Sequence, residues 1–96
     1  MAAEIYLAHN LQYLRKEAGL SQQALAGELD LTRSQVASYE NGKAEPSAGM
    51  LSDISHFFNI SINYLLEKDL QSIPNLKQIT AARINDQEVL DKLWRV

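Results

Sequence analysis

The stretch Ser21-Gln22-Gln23-Ala24-Leu25-Ala26-Gly27-Glu28-Leu29-Asp30-Leu31-Thr32-Arg33-Ser34-Gln35-Val36-Ala37-Ser38-Tyr39-Glu40-Asn41-Gly42 decides the reading of this chain. Its clearest local signal is Thr32-Arg33-Ser34-Gln35, a Thr-x-x-Gln capping box in which the two side chains satisfy each other's backbone amides at a helix start. The box predicts a helix running to Asn41 and closing at Gly42. Upstream, Ser21 is a good N-cap, and Leu25, Ala26 and Leu29 have the spacing of one inward face. Gly27 costs that helix roughly 1 kcal/mol relative to alanine. Only Asp30 and Leu31 separate its end from the next cap, so the two helices meet through a tight turn.

Working outward, Leu7, Leu11, Leu14 and Ala18 recur at i, i+4, i+7 and i+11, the stripe of an amphipathic first helix that ends at Gly19. On the other side, Pro46-Ser47 opens a fourth helix with Met50, Leu51, Ile54 and either Phe57 or Phe58 spaced for burial. Asn59 breaks it, and Ser61 caps a short fifth helix holding Tyr64, Leu65 and Leu66. The fold class predicted is therefore all-α, a five-helix bundle over residues 1–66 with a short helical extension over residues 67–96. In the extension, Glu67 to Ile73 can continue a helix until Pro74 limits it. Asn75 to Ile84 is ambiguous. Asn85-Asp86-Gln87-Glu88 reads as another helix start, followed by Val89, Leu90, Leu93 and Trp94 on one apolar face.

Composition bounds the function. Ninety-six residues allow one domain and a short extension, and a content of 46% hydrophobic and 22% charged residues argues against disorder. The lack of cysteine removes disulfide scaffolds, thiolate metal sites and cysteine nucleophiles together. His9 and His56 have no neighbouring ligand set, so no metal is expected, and no cofactor is implied. No nucleophile, base and orienting group occur together, so no enzyme is expected. Met1-Ala2-Ala3-Glu4 lacks a basic signal-peptide start, and no apolar run approaches the ~20 residues of a membrane helix. A soluble protein of the cytoplasm is the expectation. The net charge of −3 and a pI near 5.2 weigh against nucleic acid as a partner, because DNA binding rests on neutralising phosphates.

Two short helices joined by Asp30-Leu31-Thr32 within a helical bundle nevertheless have the outline of a helix-turn-helix. Arg15-Lys16-Glu17-Ala18-Gly19-Leu20-Ser21-Gln22 with Leu25-Ala26 resembles the first half of the phage repressor and Cro family of DNA-binding domains. Val36-Ala37-Ser38-Tyr39-Glu40-Asn41-Gly42-Lys43, Pro46 and Ile60-Ser61-Ile62-Asn63-Tyr64-Leu65-Leu66 are similar over the same register. The resemblance covers roughly residues 5–66 and lies in joint spacing across five helices, which no single tetrapeptide supplies. It implies a sequence-specific regulator of transcription, a repressor or autoregulator, that binds double-stranded DNA with its third helix in the major groove. Asp30 departs from the family, where glycine is usual at that helix exit, but aspartate tolerates left-handed geometry better than most residues.

The reading face follows from helix geometry. At ~100° per residue, Val36, Tyr39 and Glu40 share one side of the third helix, while Ser34, Ala37, Ser38 and Asn41 share the other. Arg33 stands in the first turn and suits bidentate donation to guanine O6 and N7. Ser34 and Ser38 suit hydrogen bonds to several bases, and Ala37 suits a thymine methyl. Gln35 ranks lower because the capping box occupies it. Ser21, Gln22 and the free amides at the start of the second helix form a phosphate site. By the resemblance, Gln22, Asn41 and Lys43 contact the DNA backbone, and Arg15 and Glu40 pair with each other to tie the first helix to the third. For Arg15 a phosphate contact is secondary.

Leu70, Ile73, Leu76, Val89, Leu90, Leu93 and Trp94 have two readings. They form a dimer interface, with Leu90, Leu93 and Trp94 at its centre, or they fold back and enlarge the core. Dimerisation is favoured, because one module with few cations binds DNA weakly and a symmetric pair reads a two-fold site. The alternative function is a protein-interaction module, an antitoxin or anti-repressor whose C-terminal apolar face binds a partner protein. The charge can be placed as well. Residues 1–66 hold Arg15, Lys16, Arg33 and Lys43 against seven Asp and Glu, and residues 67–96 hold five of each sign. The acidic balance thus belongs to the helical unit itself, which predicts weak non-specific binding and contacts made by helix-end amides and polar side chains.

Overall fold

A hydroxyl side chain starts every described α-helix but the first. In the computed structural model, which describes residues 6–73, the order is α1 (Leu7–Glu17), α2 (Gln22–Leu29), α3 (Arg33–Glu40), α4 (Ala48–Phe58), α5 (Ile62–Glu67) and a 3-10 helix, Leu70–Ser72. Ser21, Thr32, Ser47 and Ser61 each accept a hydrogen bond from the amide three residues on. At Thr32 the full capping box forms: Gln35 N donates to Thr32 Oγ1 at 3.1 Å, and Thr32 N donates to Gln35 Oε1 at 2.9 Å. Gln35 is therefore held at the helix start, as its place in the box predicts.

The helix ends are set by left-handed residues. Gly19 and Gly42 have φ of 73° and 78°, a region that costs residues with a Cβ. Asp30 and Asn59 occupy the same region at 58° and 55°. Asp30 thus makes the turn without glycine, and Leu31 N closes it by donating to Ala26 O at 2.8 Å. With this single turn only three residues lie between α2 and α3, and α3 packs back on α2.

Leu11, Leu25, Ala26, Val36, Ile54, Ile60, Leu65 and Leu70 fill the centre of the bundle. The helix α1 is the hub, packing on α3, on α5 and on the 3-10 helix, while α2 packs on α3 and α4 on α5. One member of the predicted stripe is displaced: Ala18 caps the C-terminus of α1 and is exposed, and Arg15 is buried instead. The choice left open between the two phenylalanines falls on Phe58, which packs against the core. Phe57 stays exposed with its ring edge-on to Phe58 at 4.9 Å.

The bundle does not stop at Leu66. Leu70 is fully buried and Ile73 packs against the core, so both enlarge the core of their own chain rather than offering a pairing surface. Asn10 makes this possible. It is fully buried, its Nδ2 donates to Leu65 O at 2.8 Å and Lys68 O at 2.6 Å, and its Oδ1 accepts from Leu70 N at 3.1 Å. The carbonyls at the end of α5, which lack partners within their own helix, are satisfied from α1. Leu76, Val89, Leu90, Leu93 and Trp94, with the helix expected after Asn85, lie outside the described residues.

Candidate nucleic-acid interface

The third helix presents its first turn and one face outward because the other face is fully used. Val36 is completely buried and Tyr39 packs against the core, whereas Arg33 and Ser34 are exposed and Ala37 and Ser38 are half-buried. All four residues expected to read bases thus lie on the accessible side of one eight-residue helix. At the start of α2, Ser21 Oγ accepts from Ala24 N at 3.0 Å. The amides of Gln22 and Gln23 have no acceptor among the described residues, and with the helix dipole they suit an anion. Beyond α3, Asn41 and Lys43 are both exposed. Asn41 Oδ1 accepts from Lys43 N at 3.0 Å, which fixes the short turn and leaves the Asn41 amide group and the Lys43 side chain facing solvent.

A buried ion pair holds this surface together. Arg15 Nε donates to Glu40 Oε2 at 2.6 Å and Arg15 Nη2 to Glu40 Oε1 at 3.0 Å, a bidentate fork between α1 and the last residue of α3. The Arg15 and Glu40 side chains are only 10% and 2% exposed. The third arm of the guanidinium, Nη1, donates to Leu20 O at 2.8 Å in the loop before α2. Three of the five guanidinium N–H donors of Arg15 are thus bonded inside the protein, which makes its part in the pair its main role. The exposed cations beside α2 and α3 are therefore Arg33 and Lys43.

Sequence reasoning missed one partner of this network. Gln22 Nε2 donates to Glu40 Oε1 at 3.1 Å, so the residue expected to touch the DNA backbone also bonds to the end of α3. Eighteen positions separate the two residues, and no local pattern signals the contact. Asn10 was missed for the same reason. Elsewhere, a groove lined by Glu28, Leu29, Asp30, Asp53, His56 and Phe57 carries three carboxylates and is unsuited to phosphate. No group of acidic residues and histidines among the described residues is arranged to hold a metal ion, and no described helix is long and apolar enough to cross a membrane.

Two short helices at a tight turn, the second exposed along one face and anchored at both ends, define a helix-turn-helix. A sequence profile of that description matches residues 11–65. The chain belongs to the helix-turn-helix family of DNA-binding transcription regulators, which are not enzymes. It is 31% identical over 88 residues to the HTH-type transcriptional regulator ImmR of Bacillus subtilis, covering 90% of this chain and 69% of that one. Over 60 residues it is 38% identical to the uncharacterised HTH-type transcriptional regulator YqaE of the same organism, with 62% of this chain and 52% of that one covered. It is also 32% identical over 84 residues to the HTH-type transcriptional activator BcrR of Enterococcus faecalis, covering 88% of this chain and 38% of the relative. The chain therefore spans about half of YqaE, over two thirds of ImmR and well under half of BcrR. No solved structure matches it significantly.

Proposed function

We propose that the protein binds a specific, roughly palindromic operator as a homodimer in the cytoplasm and acts there as a repressor or autoregulator. The observation that carries this reading is the outward face of α3, where Arg33 and Ser34 are exposed and Ala37 and Ser38 half-exposed while Val36 and Glu40 are locked inward. In this reading those four residues meet base edges in the major groove, and Ser21, Gln22, Asn41 and Lys43 set the register on phosphates. Pairing follows from the charge. A unit that exposes few cations toward DNA gains too little from counterion release to hold one half-site alone. Leu90, Leu93 and Trp94 remain the proposed pairing surface. A partner protein at those residues, as in an antitoxin or anti-repressor, is the competing use of them.

Selection of bound sites from random duplexes tests the reading, with wild type run beside Arg33→Ala and Ser38→Ala. Wild type is expected to enrich a two-fold motif whose half-sites lie about one helical turn, ~34 Å, apart. Arg33→Ala is expected to relax one position, at a cost of about 1–3 kcal/mol against the preferred base. If wild type enriches nothing, or both variants enrich an unchanged motif, α3 is not the reading helix. A lone half-site would remove the dimer. Titration of binding against salt gives an independent measure. The expected slope corresponds to about two to four phosphates per subunit, at roughly −0.9 each. A slope typical of a strongly basic protein would contradict the sparse charge of this surface.

A further inference from the structure

We propose that Glu40 is a positioning residue for the DNA-backbone contact, acting through Gln22: it holds the Gln22 side-chain amide so that the grip of α2 on phosphate is set by the far end of α3. This inference rests on the operator-binding reading above and adds a coupling between its two halves.

The geometry carries it. Glu40 Oε1 accepts from both Arg15 Nη2 at 3.0 Å and Gln22 Nε2 at 3.1 Å, while Oε2 accepts from Arg15 Nε at 2.6 Å. A carboxylate can only accept, so the amide must turn its nitrogen toward Glu40. One Nε2 hydrogen is then used inside the protein, and the second hydrogen and Oε1 remain for outside partners. An unanchored glutamine samples both amide orientations and several rotamers, and it loses that freedom when it binds. Gln22 is half-buried and already ordered by Glu40, whereas its neighbour Gln23 is exposed and its side chain makes no hydrogen bond among the described residues. The carboxylate does this without presenting a bare negative charge to DNA, because Arg15 takes up both of its oxygens. Since Glu40 ends α3 and Gln22 begins α2, a displacement of α3 is transmitted directly to the phosphate grip.

The test combines dynamics with a double-mutant cycle. In the free wild-type protein, nitrogen relaxation should find the Gln22 side-chain amide nearly as ordered as the backbone and that of Gln23 far more mobile. Equal mobility of the two overturns the proposal and needs no variant. Gln22→Met, Glu40→Gln and the double variant are then titrated with the enriched operator duplex and with a random duplex of equal length, at a temperature where melting shows each to be folded. Gln22→Met should lower affinity for both duplexes by roughly five- to tenfold, since a phosphate contact carries no sequence information. Glu40→Gln should lower wild-type affinity by several-fold but, once Gln22 is methionine, by less than about twofold. An undiminished loss in that background overturns the proposal while leaving operator binding intact. Failure of the wild type to bind either duplex overturns both.

Discussion

Asn10→Leu should bring the protein to the edge of unfolding. The substitution preserves volume but removes one acceptor and two donors from a completely buried site. Leu65 O, Lys68 O and Leu70 N would each lose the partner they have now, at 2.8, 2.6 and 3.1 Å. Each buried polar group left unpaired costs roughly 1–3 kcal/mol, and relaxation near α5 recovers part of it, so the net loss is expected to be about 3–5 kcal/mol. A domain of this size has a total stability of order 5 kcal/mol. Chemical denaturation followed by circular dichroism measures the loss directly. A change below about 1 kcal/mol would mean that water replaces the lost bonds and that the clamp is not closed.

Glu40→Ala should cost nearly as much, for a different reason. It strands the Arg15 guanidinium, 10% exposed, without its counter-charge. Removing one member of a buried pair typically costs 3–5 kcal/mol, because the remaining charge is left desolvated. Replacing both members by apolar residues removes the desolvation cost together with the attraction. The double variant Arg15→Met with Glu40→Leu is therefore expected to be more stable than Glu40→Ala, although it also gives up the bonds to Leu20 and Gln22. Thermal and urea unfolding of the three proteins decide the order. If the double variant is the least stable, the pair contributes through its fork geometry and not through the burial of charge.

These two residues also mark how far the fold and site were legible in the sequence. The capping box at Thr32 and Gln35 was readable because it closes within three positions, and so were the Ser21 and Ser61 caps. The inward face of α3 was readable because helical period places Val36 and Tyr39 together. What escaped was long in sequence and polar. Asn10 reaches partners 55 to 60 positions away, and no periodic signal marks a buried asparagine. Arg15 took the buried place given to Ala18: the resemblance supplied its pairing with Glu40, but helical period alone gives no reason to bury a charged side chain, and the bond to Leu20 O had no signal. Leu70 was ambiguous because an isolated leucine after a short helix reads equally well as core or as interface.

The Asn10 clamp has a consequence for cooperativity. The first helix and the last turn of the described chain share one fully buried side chain, so neither can fray while the other stays in place. Detaching Leu70 opens the start of α1, and loosening α1 removes the hub on which α3 rests. The two extremities behave as a single latch that opens in one event. A disturbance at residues 68–73 is thereby expected to reach α3 by way of α1, on which both pack.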